Sequence, residues 1–348
     1  MKRKFLFILT MLLLMPFTIV VNAKNYKEKD VRIVEFDDGG KDYIFTINGA
    51  EEHCLVPPED FNPIDATNEE LERYCFPPRP NNENELNDWI RMMDNYKGTP
   101  IPEVTTIEVS KRKTRALSYV SNYASTTIYA YADFRAGYSA ITHGTTEISQ
   151  VQMNYAQPTI LSTSDNCKNL YGIGIGNDYR EVSIGTGSNG MNNNFVWIRC
   201  VSDNPSIPLE EIEITSLIVN PGDSIHLYIS YEKENNKVTY YIANNTTGQS
   251  TNGYLIRNAA DYYSGISAQW FVERGVDDGK LLNLGKFGTF TPSLCQYKFL
   301  NTSGWNNISN ASTIEIIKMR NQSTLSEICT PSSIFGGSCF TCTWQAYN

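Results

Sequence analysis

The sequence is poor in histidine and in basic residues, and both shortages exclude kinds of function. His53, His143 and His226 are the only histidines, so the eight cysteines have no histidine partners at zinc-binding spacing. Lysine and arginine total 29 against 38 acidic residues, which gives a formal charge of −9. Because no basic run offsets this charge, nucleic acid would be repelled. The sequence therefore predicts no metal, no cofactor and no nucleic-acid partner.

Motifs of several large enzyme classes are also missing. Gly172, Gly174 and Gly176 alternate within a strand pattern and no helix follows them, so they do not form a dinucleotide-binding loop. The chain has no G-x-S-x-G, no H-E-x-x-H and no phosphate-loop lysine. It also has no internal repeat, which excludes a solenoid.

The one long apolar run lies at the N-terminus, over residues 5–21. It follows the basic residues Lys2, Arg3 and Lys4 and ends in Val21-Asn22-Ala23, a site of small residues. This pattern predicts a signal peptide of residues 1–23, cut after Ala23, and a secreted protein with no membrane attachment after cleavage. The alternative is an uncleaved anchor. Cleavage removes three positive charges and takes the formal charge from −9 to −12.

Export also decides how the cysteines are interpreted. All eight lie in the exported part, where disulfides persist, at long and irregular spacings apart from one C-x-x-C pair near the C-terminus. We interpret them as structural disulfides or buried thiols. They are Cys54, Cys75, Cys167, Cys200, Cys295, Cys329, Cys339 and Cys342.

The exported chain divides into five predicted segments. One of these segments is predicted to be helical. Thr67 and Glu70 form a capping box that begins a short helix, and Pro77 with Pro78 ends it. A second helix is predicted at residues 83–96. The segments are a linker or pro-region at 24–49 with a possible strand at 31–36, a Pro-rich helical leader at 50–97, a linker at 98–116, a β-sandwich at 117–322 and a cysteine-containing C-terminal extension at 323–348.

From residue 104 onward the pattern is that of an all-β protein. Short alternating segments rich in Tyr and Thr are separated by Gly, Asn and Pro, which is typical of an antiparallel β-sandwich or jelly roll. The predicted strands are 104–109, 127–132, 149–155, 170–175, 181–186, 195–201, 214–219, 224–232, 237–243, 253–257, 266–274, 287–291 and 313–319.

The leader is similar to one that precedes the β domain of many bacterial proteins resembling the glutamic peptidases called eqolisins. That leader has the form P-x-GFDP-x-x-A-[ST]-x-EEL-x-x-YG-[FL]-PPRP, and residues 58–80 follow it. Three positions differ: Asp60 and Cys75 replace glycine, and Asn62 replaces aspartate.

The β region resembles the same family in the order and spacing of its motifs. The resemblance implies a concanavalin A-like β-sandwich of two curved antiparallel sheets with the active site on a concave face. The motifs are Ser121-Asn122-Tyr123 for S-N-W, residues 148–158 for F-x-V-x-A-x-F-x-VP, residues 171–176 for W-V-G-I-D-G, residues 182–187 for I-L-Q-T-G, residues 221–225 for PGDSI, residues 244–249 for N-x-TTGQ and residues 267–273 for N-A-E-[WF]-I-[VI]-E.

Family chemistry uses a glutamate as general base and a glutamine as oxyanion donor. The resemblance assigns the glutamate to Gln269 and the glutamine to Gly185, so both dyad positions are substituted. An amide cannot take a proton from water, and glycine has no side chain to donate. Glu273 and Glu181 are the acids available for a relocated pair, but Glu273 lies roughly 13 Å along the strand from Gln269.

Five further residues are predicted to bind the ligand. Strand 267–273 places Ala268, Trp270 and Val272 on one face, and Gln269, Phe271 and Glu273 on the other. Trp197 and Arg199 share a face of their own strand, and an aromatic residue at 171 matches a family tryptophan. The predicted ligand-binding residues are Tyr171, Trp197, Arg199, Phe271 and Glu273.

These observations leave three hypotheses. The first is a secreted β-sandwich that has lost proteolysis and binds a peptide or polypeptide, or a glycan, in its concave groove. The second is an acid-acting endopeptidase with a relocated catalytic pair. The third is a cell-surface structural domain with no groove ligand.

Overall fold

The computed structural model describes residues 23–25, 30–47, 50–109, 127–142, 147–163, 166–177, 180–190, 193–201, 209–256, 265–277 and 280–346. The predicted signal peptide, apart from Ala23, and the Ser121-Asn122-Tyr123 motif lie outside these residues.

Strands dominate the described chain, and two short helices lie near its start. The helices are α1 (Asn68–Arg73) and α2 (Glu83–Met93). The strands are β1 (Ala23–Asn25), β2 (Val31–Glu35), β3 (Lys41–Ile47), β4 (Ala50–Val56), β5 (Val104–Val109), β6 (Thr127–Ala132), β7 (Arg135–Ile141), β8 (Ile148–Ala156), β9 (Ile160–Ser162), β10 (Lys168–Asn177), β11 (Arg180–Asn189), β12 (Asn193–Val201), β13 (Leu209–Ile214), β14 (Ser224–Glu232), β15 (Lys237–Asn244), β16 (Gln249–Ile256), β17 (Ser267–Arg274), β18 (Val276–Asp277), β19 (Lys280–Leu281), β20 (Lys286–Phe287), β21 (Thr289–Phe290), β22 (Ser293–Phe299), β23 (Asn306–Asn307), β24 (Thr313–Arg320), β25 (Glu327–Pro331) and β26 (Cys342–Trp344).

Two large sheets form the body of the protein. The first sheet has thirteen strands, in the order β1-β5-β13-β12-β11-β10-β17-β7-β24-β25-β26-β21, with β6 added in parallel to β24. The second has nine strands, in the order β2-β3-β4-β16-β15-β14-β8-β22-β23. The other pairings within these two sheets, among the residues described, are antiparallel. This confirms the predicted fold class, an antiparallel β-sandwich preceded by short helices.

The core lies between the two sheets and follows from the alternation within single strands. In β17, Ala268, Trp270 and Val272 are fully buried against the second sheet, as the sequence pattern predicts. The Trp270 indole Nε1 donates to the carbonyl of Gln152 at 2.9 Å, so the ring spans from one sheet to the other. Ile225, Leu227 and Ile229 of β14 face it from the second sheet.

The helical leader packs on the outer face of the second sheet. Thr67 and Glu70 form both halves of the predicted capping box, and α2 begins at an Asn82 cap. Leu71 and Trp89 join a second apolar cluster with Tyr228 and Tyr241 of the sheet. The leader is therefore part of the folded body.

Several segment boundaries differ from those expected from the sequence. Within the segment 24–49, the possible strand at 31–36 is present as β2, and β3 follows it in the second sheet. Residues 323–348 supply β25 and β26 of the first. The strand predicted at 104–109 is present as β5, which pairs with β13. The strand expected at 214–219 lies earlier, at Leu209–Ile214. Short charged or small-residue strands carry weak periodicity, and pairing to long neighbours fixes them.

All eight cysteines are thiols in this structure, and seven of them are buried. In the described ranges, no helix has the length and apolar character needed to cross a membrane.

Candidate functional site

The residues that the family resemblance assigns to catalysis lie on the outer face of the first sheet. Gln269 is on β17 and Gly185 is on β11, with β10 between them. In register, Gln269 lies beside Gly174, whereas Gly185 lies between Gly172 and Trp197. The two positions are therefore close on one face and offset by two residues along it.

Gln269 is buried, and its amide is fully engaged. Its Oε1 accepts from the guanidinium of Arg135, and its Nε2 donates to the carbonyl of Gly176 at 3.2 Å and to Ser267 Oγ at 3.4 Å. Only 3% of the residue is exposed. A substrate carbonyl cannot contact Gln269 in this arrangement.

Gly185 lies where the sheet has no room for a side chain. A Cβ built there would be 1.9 Å from the carbonyl oxygen of Tyr171 on the neighbouring strand, and that oxygen belongs to backbone. On the adjacent Gly172, a Cβ would meet the indole of Trp197 at 2.7 Å. Close strand approach and the Trp197 ring together exclude a donor side chain at this position.

The same face carries a group of buried charges that we call the first-sheet charge cluster. Its members come from six strands and each exposes less than a tenth of its surface, so none is satisfied by bulk water. They are Arg135, Lys168, Glu181, Arg199, Glu211, Glu213 and Glu273.

Arg135 of β7 is the centre of this cluster. Its Nη1 and Nη2 donate to the two carboxylate oxygens of Glu181 at 2.8 and 2.9 Å, and its guanidinium also contacts Glu273. It reaches Gln269 as well. Arg199 binds the second oxygen of Glu273 at 2.7 Å. Two arginines thus hold both acids that a relocated catalytic pair would need.

Lys168 forms a second arm of the cluster with β13. Its Nζ lies 2.5 Å from Glu211 and 2.9 Å from Glu213. Burial alone would lower the pKa of Lys168, but the attraction of the two carboxylates outweighs it and raises the pKa. Burial likewise opposes the charge of Arg199, yet Glu273, Glu181 and Glu211 raise its pKa. Both cations therefore stay charged.

Each cation of the cluster also stacks on an aromatic ring of the same face. Arg135 lies 4.0 Å from the ring centroid of Phe271, Lys168 lies 4.8 Å from Phe195 and Arg199 lies 5.0 Å from Trp197. Phe271, Phe195 and Trp197 form one small apolar cluster with Leu170. Cation–π contacts in a desolvated setting add to the ion pairs and fix the side chains in place.

Four of the five residues predicted to bind ligand lie together on this face: Trp197, Arg199, Phe271 and Glu273. Each is at most 1% exposed, because they pack and pair with one another. Tyr171 lies on the opposite face of β10, inside the core. Its ring packs on Phe287 and Phe290, and its hydroxyl accepts from Asn169. The odd residues of β10 face inward, which separates Tyr171 from the other four.

Sequence reasoning missed Arg135, Lys168, Glu211 and Glu213. Arg135 begins β7, which was not predicted because Gly137 and small residues interrupt its pattern. The alternation of Ala136, Tyr138 and Ala140 was the available signal, since these three fill the core side of the strand. The ion pairs themselves join residues up to 138 positions apart, which no local pattern reveals.

Chemically, this face suits structural charge pairing better than proton transfer. A general base needs a free lone pair within reach of a substrate water. Glu181 and Glu273 instead accept from arginines and expose at most 1% of their surface.

The protein is thus a β-sandwich, and buried polar side chains from adjacent strands form a cluster on the outer face of its first sheet. Residues 133–344, more than half of the chain, match the model of the Peptidase A4 family. The chain therefore belongs to the Peptidase A4 family, the eqolisins, which confirms the resemblance inferred from the sequence.

Two solved structures of scytalido-glutamic peptidase share this fold. A scytalido-glutamic peptidase bound to a transition state analogue inhibitor is 12% identical, with a TM-score of 0.51 over 61% of this chain and 98% of that one. A second structure of that peptidase, with a peptide-based transition state analogue, is 13% identical with a TM-score of 0.50 over the same shares. Aspergilloglutamic peptidase from Aspergillus niger is 18% identical, with a TM-score of 0.43 over 51% of this chain and 99% of that one. No curated protein matches the sequence.

Proposed function

We propose that this chain is an exported member of the Peptidase A4 family that does not cleave peptides and acts as a binding protein. The observation that carries the proposal is Arg135, which binds the amide at the glutamate position and both neighbouring acids. An arginine in that place occupies oxygen atoms of both neighbouring carboxylates, which a general base would need free to accept a proton from a substrate water.

Gly185, at the position that the resemblance assigns to the family glutamine, supports the same proposal. Loss of an oxyanion donor costs about 10²–10³ in rate, and loss of a general base costs about 10²–10⁴. The backbone contact at Gly185 leaves no space for another side chain to supply the donor from that strand. Together these losses leave little hydrolysis.

The ligand class that we propose is a peptide or a glycan. The outer face of the first sheet is poorly suited to bind such a ligand. Family relatives with solved structures bind peptide-like inhibitors, which supports a peptide. However, the lining residues of the predicted groove are all covered in this arrangement. We therefore propose the ligand class for the protein as a whole without placing the ligand on this face. Export rests on the N-terminal pattern of basic and apolar residues.

The test is proteolysis of acid-denatured globin by the purified chain between pH 2 and 7, with a scytalido-glutamic peptidase as positive control. We expect no cleavage above a buffer blank. Circular dichroism at each pH verifies that the chain is folded during the assay.

A matched pair of variants decides any positive result. Cleavage that Glu181→Gln abolishes and Glu52→Gln preserves would overturn the proposal in favour of a relocated catalytic pair. Glu52 is an equally buried glutamate on the second sheet, 4% exposed, so it controls for the loss of a buried carboxylate as such.

A further inference from the structure

The outer face of the second sheet holds a cleft that the peptidase fold does not explain. The cleft has a volume of about 810 Å³ and lies between the α2 side of the leader and strand β22. Ligand pockets in proteins typically occupy about 300–1,000 Å³. We call it the second-sheet cleft, and the side chains of its floor are Gln150, Gln152, Asn154, His226, Tyr228 and Gln296.

The floor consists largely of amides that are only partly satisfied by one another. Gln152 Nε2 donates to Gln296 Oε1 at 2.7 Å, and Gln296 Nε2 donates to Asn307 Oδ1 at 2.8 Å. Gln150 Oε1 has no hydrogen-bond partner in the described part of the chain. Since a primary amide has two donor hydrogens and a carbonyl oxygen, this row keeps both donors and acceptors for a ligand.

His226 is a second polar residue of the floor with an unused group. It is 1% exposed, and its Nδ1 is 2.6 Å from Asn154 Oδ1, so Nδ1 carries the hydrogen. Nε2 is then an acceptor, and among the described residues it has no partner. A buried polar atom without a partner is costly, and a donor supplied nearby would relieve that cost.

An aromatic wall stands beside the amides. Trp305 is half-buried and meets the ring of Tyr228 edge-on, with centroids 6.3 Å apart. Both rings line the cleft. Because it lines the cleft, the Trp305 indole offers a flat apolar surface next to hydrogen-bonding groups, which matches a ligand with one apolar face and polar edges.

Of the five charged residues on the rim, Glu85 and Lys298 bring one charge of each sign, and Arg79, Asp88 and Arg91 are engaged within the leader. Arg91 pairs with Asp88 of the same helix, and Arg79 donates to the carbonyls of Ile64 and Ala66 at 2.9 and 2.8 Å. The β8 and β14 parts of the floor carry no formal charge at neutral pH. A neutral ligand therefore fits this cleft better than an anionic one.

Backbone pairing disfavours a peptide in the same place. Extended peptides bind by adding a strand to an exposed edge. β8 lies inside the sheet, between β14 and β22, so its main-chain groups are used in those ladders. The β8 and β14 part of the floor therefore offers mainly side-chain amides and rings to a ligand, and hydroxyl groups, which both donate and accept, match them.

We propose that the second-sheet cleft binds a short neutral oligosaccharide, with Trp305 packed on a sugar ring and Gln150, Gln152 and Gln296 bonded to its hydroxyls. The cleft is on the sheet opposite the first-sheet charge cluster. The proposal therefore stands whether or not the chain has lost proteolysis, and the globin assay above cannot decide it.

The test is a titration of the full exported chain with cellotetraose, maltotetraose, mannotetraose and chitotetraose, followed by tryptophan fluorescence and saturation-transfer NMR. A neutral glycan array extends the same screen. We expect at least one neutral oligosaccharide to bind, and Trp305→Ala to weaken that binding at least tenfold. Gln296→Ala should weaken it several-fold, while Trp305→Phe keeps most of the affinity.

Trp344→Ala is the matched control, because the Trp344 indole donates to the carbonyl of Leu284 and does not line the cleft. It should leave binding unchanged, with circular dichroism confirming that every variant is folded. Three results would each overturn the proposal. They are no binding of any neutral glycan, glycan binding that survives both Trp305→Ala and Gln296→Ala, and binding of tetra-alanine instead of the glycans.

Discussion

The outer faces of the two sheets accommodate their polar side chains in opposite ways. On the first sheet, seven charged residues are buried in ion pairs with one another, and the three cations stack on aromatic rings. On the second, neutral amides line a cleft of about 810 Å³ and are only partly paired. Buried charges demand complete local pairing, which closes a surface, whereas amides tolerate water and can stay available to a ligand.

The largest expected effect is on stability, from a substitution in the first-sheet charge cluster. Arg135→Met leaves Glu181 and Glu273 without their shared partner inside the protein, so we expect the free energy of unfolding to fall by about 3–5 kcal/mol. Urea denaturation measures it. Arg32→Met is the control, because the Arg32–Glu51 pair is more than half exposed on both sides and should contribute at most about 1 kcal/mol. Equal losses in the two variants would mean that the charge cluster does not hold this face.

Gly185→Ala tests how tightly the strands of that face approach. The added methyl group would meet the Tyr171 carbonyl, so we expect a loss of about 1–3 kcal/mol or more in urea denaturation. Gly304→Ala, where a Cβ meets nothing within 4 Å, should be neutral or slightly stabilising. A neutral Gly185→Ala would show that the sheet relaxes easily there.

The open face should respond to pH through His226. Burial lowers the pKa of His226 from 6.5 to about 3 in the folded state. Between these two pH values the unfolded chain binds a proton at this histidine and the folded chain does not. The stability it confers is present above pH 6.5 and is lost as pH falls toward 3, by up to about 1.4 kcal/mol per pH unit.

Urea midpoints of the wild type and His226→Gln at pH 7, 6, 5 and 4 measure this loss. The variant should show a shallower decline. Parallel declines would place the acid sensitivity in the first-sheet carboxylates instead.

The smallest effect concerns the wall of the cleft. Asn82 caps α2 by accepting from the backbone N–H of Glu85 at 3.0 Å, so Asn82→Ala should cost about 1 kcal/mol and lower the melting temperature by a few degrees. Asn82→Asp keeps the cap and should match the wild type. If the alanine variant melted like the aspartate variant, the leader wall would not depend on this cap.

How much of this comparison the sequence could predict depends on the range of each interaction. The alternation in β17 predicts which of Gln269 and Trp270 faces inward, because strand parity is local. The capping box at Thr67 is local for the same reason. Both agree with the structure.

The rest required the pairing of distant strands. Arg135 meets Glu273 because β7 pairs with β17, and Tyr171 turns inward because of the register of β10 with its neighbours. The second-sheet cleft joins the leader to strands that lie more than fifty residues later. Tertiary pairing, which no local pattern encodes, creates these contacts.

The approach of the Tyr171 carbonyl to Gly185 also bears on how this surface could change over generations. Any single mutation that enlarges residue 185 meets a backbone atom at 1.9 Å before it can offer a catalytic benefit. A donor side chain at residue 185 would need the strand spacing and the Trp197 ring to change together. Selection acting one substitution at a time would therefore be expected to keep glycine at this position.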